Sequence, residues 1–288
     1  MILDIKQQLV KDIKETKLIK NLNDDYIKLR LEKYILTNAD TFKKLKISQQ
    51  KKDETSIKKD TNYIKILKDI RNELRITYHS FLNTDFFKKE KILEKINSIQ
   101  DVSKLLITHK STKERMNYYD TIYLEIFKWY KPKHGICDLG CGLNPLTIKM
   151  ITLQLGYDIN YFCFDLSKND MDFLNSFFLK FEINAKAYDY DLTDTSFISK
   201  DEIEKSDLIF MFKLLDSLEF IKKNVSKSII TELTSKNKKI VVSFPTKSLI
   251  SKTQFDIKKR NWLFNFLNKN EIPYKQFETE NELFILIN

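Results

Sequence analysis

Gly135-Ile-Cys-Asp-Leu-Gly-Cys-Gly-Leu-Asn-Pro-Leu-Thr147 is the stretch on which the fold of this chain turns. It begins as a short apolar run. It passes into a helical pattern near Pro145, which suits a first helical turn because the N–H it lacks would have no partner there. Between them stand Gly140 and Gly142, two of only four glycines in 288 residues. At the average usage of about 7%, roughly twenty would be present. A chain this poor in glycine keeps it where the backbone needs a positive φ or a close approach. The stretch reads as strand, tight turn, helix.

The same alternation continues outward. Apolar, β-rich runs at 161–164, 185–190, 208–212, 240–244 and 283–287 are separated by helical patterns near 145–155, 168–181, 215–236 and 254–269. Strands alternating with helices predict an α/β fold, a parallel sheet covered on both faces. The end differs, because the runs 274–279 and 282–287 have only a turn between them. An antiparallel hairpin therefore closes a mostly parallel sheet, a variant of the doubly wound fold.

Three acids follow the strands. Asp138 precedes the turn, Asp165 closes the second run and Asp191 follows the third. A dinucleotide fingerprint would place a third glycine on the helix to accept pyrophosphate. That spacing is absent and an acid occupies the approach, so phosphate fits poorly. S-adenosylmethionine fits better: its ammonium can meet Asp138, and bare backbone at Gly140 and Gly142 lets a ligand lie against the turn. Asp165, at the carboxyl edge of the neighbouring strand, suits ribose hydroxyls, and Asp191 suits the adenine amino group.

Charge divides the chain. Residues 1–115 hold 27 Lys and Arg against 17 Asp and Glu, whereas residues 116–288 hold 23 of each. The whole surplus of ten lies in the N-terminal part, which suggests a polyanion-binding module beside a neutral one; a solvated lysine-rich helical surface is the alternative. Ile2, Ile5, Leu9, Ile13 and Leu18 form a helical stripe, as do Ile27, Leu31, Tyr34 and Ile35, and then Ile64, Leu67, Ile70, Leu74 and Tyr78. Residues 48–61 are polar and read as a loop or a solvated helix start. The division expected is a basic helical domain over 1–108 and a sheet domain over 109–288.

Cys137, Cys141 and Cys163 are odd in number and sit in apolar runs, which argues for packing in a reducing cytoplasm rather than disulfides. No zinc-type spacing accompanies them, so no metal is expected. The opening Met1-Ile-Leu-Asp-Ile-Lys lacks the order of a signal peptide, and no apolar run reaches membrane-spanning length.

Four segments in order resemble the aminoglycoside-resistance 16S rRNA (guanine-N7) methyltransferases, the Arm/Rmt group. They are His109-Lys-Ser-Thr-Lys-Glu-Arg115, Asp138-Leu-Gly-Cys-Gly-Leu-Asn-Pro-Leu146, Phe212-Lys-Leu-Leu-Asp-Ser-Leu-Glu219 and Val242-Ser-Phe-Pro-Thr-Lys-Ser-Leu249. The resemblance implies a Rossmann-like class I methyltransferase sheet behind an all-helical rRNA-binding domain. It also implies methylation of a guanosine N7 in the decoding site of the small ribosomal subunit, potentially conferring aminoglycoside resistance; a monomer is expected.

Carried over by position, Arg115 meets the S-adenosylmethionine carboxylate, and Asp138, Gly140 and the backbone near Gly142 hold its methionine part. Asp165 and Asp191 take ribose and adenine. His109 and Lys213 fall at the transfer site, and Phe244, Lys247 and Ser248 at the RNA. From the residues alone, His109 also reads as a helix cap and Phe244 as core packing. The chain departs from the family pattern at Lys110, at Asp216 where proline is common, and in residues 250–256, which lack the family's glycine-rich run. Rival readings are a methyltransferase of another RNA site and a non-catalytic RNA-binding or ribosome-assembly protein.

Overall fold

Seven strands of the computed structural model pair into one sheet: β1 (Gly135–Leu139), β2 (Asn160–Asp165), β3 (Ala185–Asp189), β4 (Leu208–Phe212), β5 (Lys239–Pro245), β6 (Tyr274–Glu278) and β7 (Glu282–Ile287). The structure describes residues 4–16, 19–20, 22, 24–51, 53–77, 88–246 and 260–288. The strand order is β3-β2-β1-β4-β5-β7-β6. All pairings are parallel except those of β7 with β5 and β6. This is the mostly parallel α/β sheet predicted from the sequence, antiparallel hairpin included. β1 and β4 are buried along their whole length, which is why they read as continuous apolar runs instead of alternating ones.

Strand order reverses between β1 and β4, and open α/β sheets bind ligands in the crevice at such a switch point. The β1 turn enters a 3₁₀ turn (Asn144–Thr147) and then a helix (Ile148–Leu155) that stops at Gly156 in the left-handed conformation. Helix Lys168–Lys180 follows β2 and is capped by Ser167, whose hydroxyl accepts the Asp170 N–H. The single helix read over 215–236 is two, Leu215–Ile221 and Val225–Ser235. Asn224 takes a φ of 64° at the break, and the Glu219 carboxylate accepts the N–H groups of Asn224 and Ser226 at 2.7 and 2.9 Å. That acid satisfies donors which a new helix start leaves open. Helix Asn261–Lys269 lies in the last predicted helical stretch, and residues 254–259 of that stretch lie outside the described residues.

The chain divides into two compact units, Met1–Ser80 and Phe81–Asn288. The first is helical: Ile5–Lys14, Asp24–Thr37, Ala39–Gln49, the short Glu54–Ile57 and Thr61–Thr77. Leu9, Ile13, Ile27, Leu31, Ile70 and Leu74 are buried as their spacing predicts. Ile64 is not; the buried stripe of its helix runs through Tyr63 and Ile66 instead. Buried Asp12 ties this unit together, accepting Gln8 Nε2 at 2.6 Å and the Tyr63 hydroxyl at 2.7 Å, with Lys58 Nζ at 3.2 Å.

The division falls at Ser80, upstream of the 108/109 boundary read from the sequence. Helix Lys89–Lys95 groups with the sheet because it is fixed at both ends to helix Lys168–Lys180. Lys89 Nζ meets Asp170 Oδ1 at 2.9 Å, and Lys180 Nζ donates to the carbonyl of Leu93 at 2.7 Å. Among the described residues no helix is long and apolar enough to cross a membrane.

Candidate functional site

The glycine turn is tied to the neighbouring strand. Gly140 and Cys141 donate to the Phe164 carbonyl at 2.8 and 3.2 Å, and Gly142 donates to Asp165 Oδ2 at 2.8 Å. Gly140 has a φ of 66° and Gly142 one of 51°, conformations that L side chains rarely adopt. A Cβ on Gly140 would lie 2.6 Å from Leu214 Cδ1, and one on Gly142 would lie 3.2 Å from His109 Cε1. The space in the Cβ direction, expected to admit a ligand, is therefore filled by Leu214 and the His109 ring. Backbone conformation and close packing demand glycine here.

The three predicted acids line three adjacent strands. Asp138 is fully buried on β1, and its Oδ2 accepts Asn144 Nδ2 and the Tyr161 hydroxyl, each at 2.8 Å. Its Oδ1 is buried without a hydrogen-bond partner. Burial pushes the carboxyl up to about 6, against the pull of those two donors and of Arg115. Asp165, ending β2, is likewise pushed up to about 6 by burial, opposed by the N–H groups of Gly142 and Leu166 and aided by the charge of Asp170. Beyond β3, Asp191 accepts the Thr193 N–H through Oδ1 at 2.9 Å, while its buried Oδ2 has no partner.

Buried acceptors without donors are costly, by roughly 1–3 kcal/mol each. A ligand that presents an ammonium, then hydroxyls, then an amino group along this edge supplies the missing donors. The residues thus fit S-adenosylmethionine, with unpartnered buried oxygens on Asp138 and Asp191. Among the described residues no group of three His, Cys, Asp or Glu side chains gathers into a metal site. The three cysteines are buried thiols, and burial holds each above its ordinary value.

A network of buried charge adjoins the turn. Arg115 donates Nε to Glu282 Oε2 at 2.9 Å and Nη2 to Glu282 Oε1 at 2.8 Å. Lys213 Nζ lies 2.8 Å from Glu114 Oε2 and 3.4 Å from Glu282 Oε2. Ser243 Oγ donates to Glu282 Oε1 and accepts the Lys213 N–H at 3.0 Å. Lys213 holds a φ of 54° just after β4, a strained conformation for a non-glycine residue of the kind that concentrates at functional sites. Burial raises the Glu282 carboxyl, but Arg115 and Lys213 more than offset it and hold the group below its ordinary value.

His109 is pushed down to about 3 by burial and by the charges of Arg115, Lys213, Lys110 and Lys89. Its imidazole is neutral at physiological pH. It starts helix Lys110–Arg115 without capping it by side chain and instead covers Gly142. The guanidinium edge of Arg115, expected to meet a ligand carboxylate, is taken by Glu282, and its Cζ lies 5.0 Å above the Phe212 ring.

His109, Arg115, Asp138, Gly140, Gly142, Asp165 and Lys213 thus converge at one end of the sheet. Glu282 and Glu114 join them without having been singled out. The signal for Glu282 was an acid opening an otherwise apolar strand, Glu282-Leu-Phe-Ile-Leu-Ile287. Phe244 requires a correction. It was placed at the RNA, but it is 1% exposed, packs in the core with Ile240 and Val242 of its own strand, and has the Arg260 guanidinium over its ring at 4.9 Å. It shares a strand face with those neighbours, and both faces of β5 are covered. Lys247 and Ser248 lie outside the described residues.

The model of the ribosomal RNA methyltransferase (FmrO) family matches residues 97–265. The 16S rRNA (guanine(1405)-N(7))-methyltransferase of Serratia marcescens is 32% identical over 152 residues, 53% of this chain and 55% of that protein. The chain thus spans about half the length of the curated relatives it matches. Among solved structures, that of the 16S rRNA methyltransferase RmtF in complex with S-adenosyl-L-homocysteine has a TM-score of 0.72 at 17% identity, covering 99% of this chain and 98% of that one. The 16S rRNA methylase RmtB has a TM-score of 0.69 at 21% identity, with 98% of both chains covered. These likenesses show the shared fold. With the family model covering more than half its length, the chain belongs to the FmrO family of ribosomal RNA methyltransferases.

Proposed function

We propose that this chain is an S-adenosylmethionine-dependent methyltransferase acting on N7 of a guanosine in the decoding site of 16S rRNA within the small ribosomal subunit, in the cytoplasm. The observation that carries the reading is the row Asp138, Asp165 and Asp191 around a glycine turn, with two of the three presenting buried oxygens that lack donors. Family membership supplies the substrate class, and the matched relatives, named as guanine-N7 methyltransferases, supply the atom.

When bound, S-adenosylmethionine supplies an electrophilic methyl group on a sulfonium. Guanine N7 carries its own lone pair and is unprotonated near neutral pH, so no general base is required. The residues present agree with that economy: His109 stays neutral and packs on Gly142, fixing the turn without moving a proton. Asp138 holds the ammonium, Asp165 the ribose hydroxyls and Asp191 the adenine amino group. Arg115 and Lys213, paired with Glu282 and Glu114 as two cations against two acids, form a charge-balanced wall beside the turn. The remaining task is alignment.

N7 lies on the major-groove edge, which is deep and narrow in A-form RNA. The target base therefore leaves its stack or the helix is distorted. The lysine-rich helices of Met1–Ser80 supply the phosphate contacts that such distortion needs. Incubating purified 30S particles with methyl-labelled S-adenosylmethionine tests the reading. Label in 16S rRNA supports it; label confined to free tRNA, or none, removes the target.

A further inference from the structure

Lys89 stands outside both the family-matched residues and every segment on which the site was read. Its ammonium is nonetheless among the most deeply buried charges of the chain. The side chain is 2% exposed, lies 2.9 Å from Asp170 Oδ1 and 3.2 Å from Glu90 Oε1, and passes over the Phe173 ring at 5.4 Å. The Asp170 carboxylate is 6% exposed. Two charges withdrawn from water in this way repay the cost only when the geometry is held.

Asp170 occupies the first turn of helix Lys168–Lys180, where its N–H is bonded to the Ser167 cap. That helix begins just beyond Asp165, and the Asp170 charge adds to the burial that raises the Asp165 carboxyl. The Lys89 charge also reaches His109, whose ring covers Gly142. Lys89 is thus tied to the helix that follows Asp165, and its charge is felt at His109.

We propose that Lys89 is a positioning residue of the cofactor subsite, clamping Asp170 and the start of helix Lys168–Lys180 so that Asp165 stays ionised and aimed at the ribose. The inference rests on the cofactor reading above and adds a residue from a segment that the family model does not reach. Lys89 does not touch the ligand; it acts through Asp170. Two features make the clamp electrostatic rather than merely a matter of packing. It neutralises the acid nearest along the chain to Asp165, and the same ammonium contributes to keeping His109 neutral.

Several charged or titratable groups of the described residues lie about Asp165. They are Asp138 from β1, the Cys141 thiol from the turn, the Cys163 thiol from β2, Asp170 from the helix, and Asp189, its register partner on β3. All of these are acids or thiols, so none of them replaces the Lys89 charge. Asp138 titrates in the same range, and the readout is therefore the shift of the acid limb between variants, not its absolute position.

The test is calorimetric titration of the full chain with S-adenosylhomocysteine from about pH 5 to about pH 8, for the wild type, Lys89→Met, Asp170→Asn and the double variant. Lys89→Met moves the acid limb of binding upward and weakens affinity at neutral pH about tenfold, a typical size for coupling between neighbouring sites. Asp170→Asn moves the limb downward, and the double variant returns both quantities close to the wild type. An unmoved limb in Lys89→Met, or a double variant no better than Lys89→Met, overturns the clamp. If Lys89→Met does not fold, Asp170→Asn decides alone, since an unmoved limb there overturns it as well. Failure of the wild type to bind at all overturns the cofactor reading itself, and the clamp with it.

Discussion

Glu282 closes both carboxylate oxygens on the guanidinium of Arg115, across 167 residues of sequence, with donor–acceptor distances of 2.9 and 2.8 Å. The pair is buried, and Glu282 also faces Lys213 and accepts from Ser243. One acid on the last strand thus fixes the two cations expected to serve the transfer site.

Replacing that acid is therefore costly. Glu282→Gln keeps the shape but leaves two buried cations short of a counter-charge, and removing one partner of a buried pair typically costs about 3–5 kcal/mol. Urea denaturation is expected to show a loss of that order together with loss of methyl transfer. The Glu282 carboxyl is held below its ordinary value, so its stabilisation is present above the unfolded-state value and disappears as pH falls through the folded one. In Glu282→Gln that acid-side loss of stability shrinks.

His109 is expected to show no titration in the turnover rate. Its imidazole is pushed down to about 3, so the ring stays neutral in the folded state while the unfolded chain takes up a proton near 6.5. Stability accordingly falls as pH drops below about 6.5 toward about 3. The rate of methyl transfer, measured with saturating 30S particles, stays flat through about pH 6.5 to 8 as far as this residue is concerned. A rate limb that disappears in His109→Asn would show that the ring does carry a proton.

Asp138 and Asp165 behave in the opposite sense, since both are pushed up to about 6 by burial. The folded state holds protons there that the unfolded chain has already released. Their contribution to stability is thus full below the unfolded carboxyl value and is lost as pH rises through about 6. A bound ammonium favours the ionised Asp138, so S-adenosylmethionine binding near pH 6 should release protons, and binding near pH 8 should release almost none. Calorimetry in buffers of differing ionisation enthalpy measures this difference. Asp138→Ala is expected to remove both the proton release and the affinity.

The glycines separate conformational strain from function. Gly140→Ala combines a φ of 66° with a Cβ 2.6 Å from Leu214, whereas Gly156→Ala has a φ of 83° and open space. Gly156→Ala should cost only the left-handed strain of about 1–2 kcal/mol and leave S-adenosylhomocysteine affinity intact. Gly140→Ala should lose affinity as well as stability. Equal affinity in the two variants would detach the turn from the cofactor.

Phe244→Ala tests the corrected placement of that ring. A core phenylalanine replaced by alanine typically costs about 3–5 kcal/mol, so thermal denaturation should register the change. A variant that melts normally yet binds 30S particles weakly would return Phe244 to the RNA.

The sequence was most readable where a local pattern has one physical meaning. Alternating apolar runs and the C-terminal hairpin pattern located the strands, the glycine pair located the turn, and Asp138, Asp165 and Asp191 were placed together because strand ends share one edge of a parallel sheet. Contacts that depend on distant residues were not readable. Glu282 looks like an ordinary strand-opening acid until Arg115 is brought to it, and Lys89 like one lysine among many until Asp170 is. Phe244 lies in a strand apolar on both faces, so alternation alone did not say which face it occupies. The break at 222–224 depends on Glu219 capping a new helix. The 108/109 boundary followed motif position, whereas helix Lys89–Lys95 is held to the sheet unit by its two end contacts.

The measurement that tests the central claim most directly is mass mapping of 16S rRNA from cells with and without this protein, combined with chain cleavage specific for N7-methylguanosine. The account predicts one additional methyl group on a single decoding-site guanosine, with cleavage at that nucleotide, and neither in cells carrying Asp138→Ala. Unchanged rRNA, or a methyl group on a different atom or outside the small-subunit RNA, would contradict it.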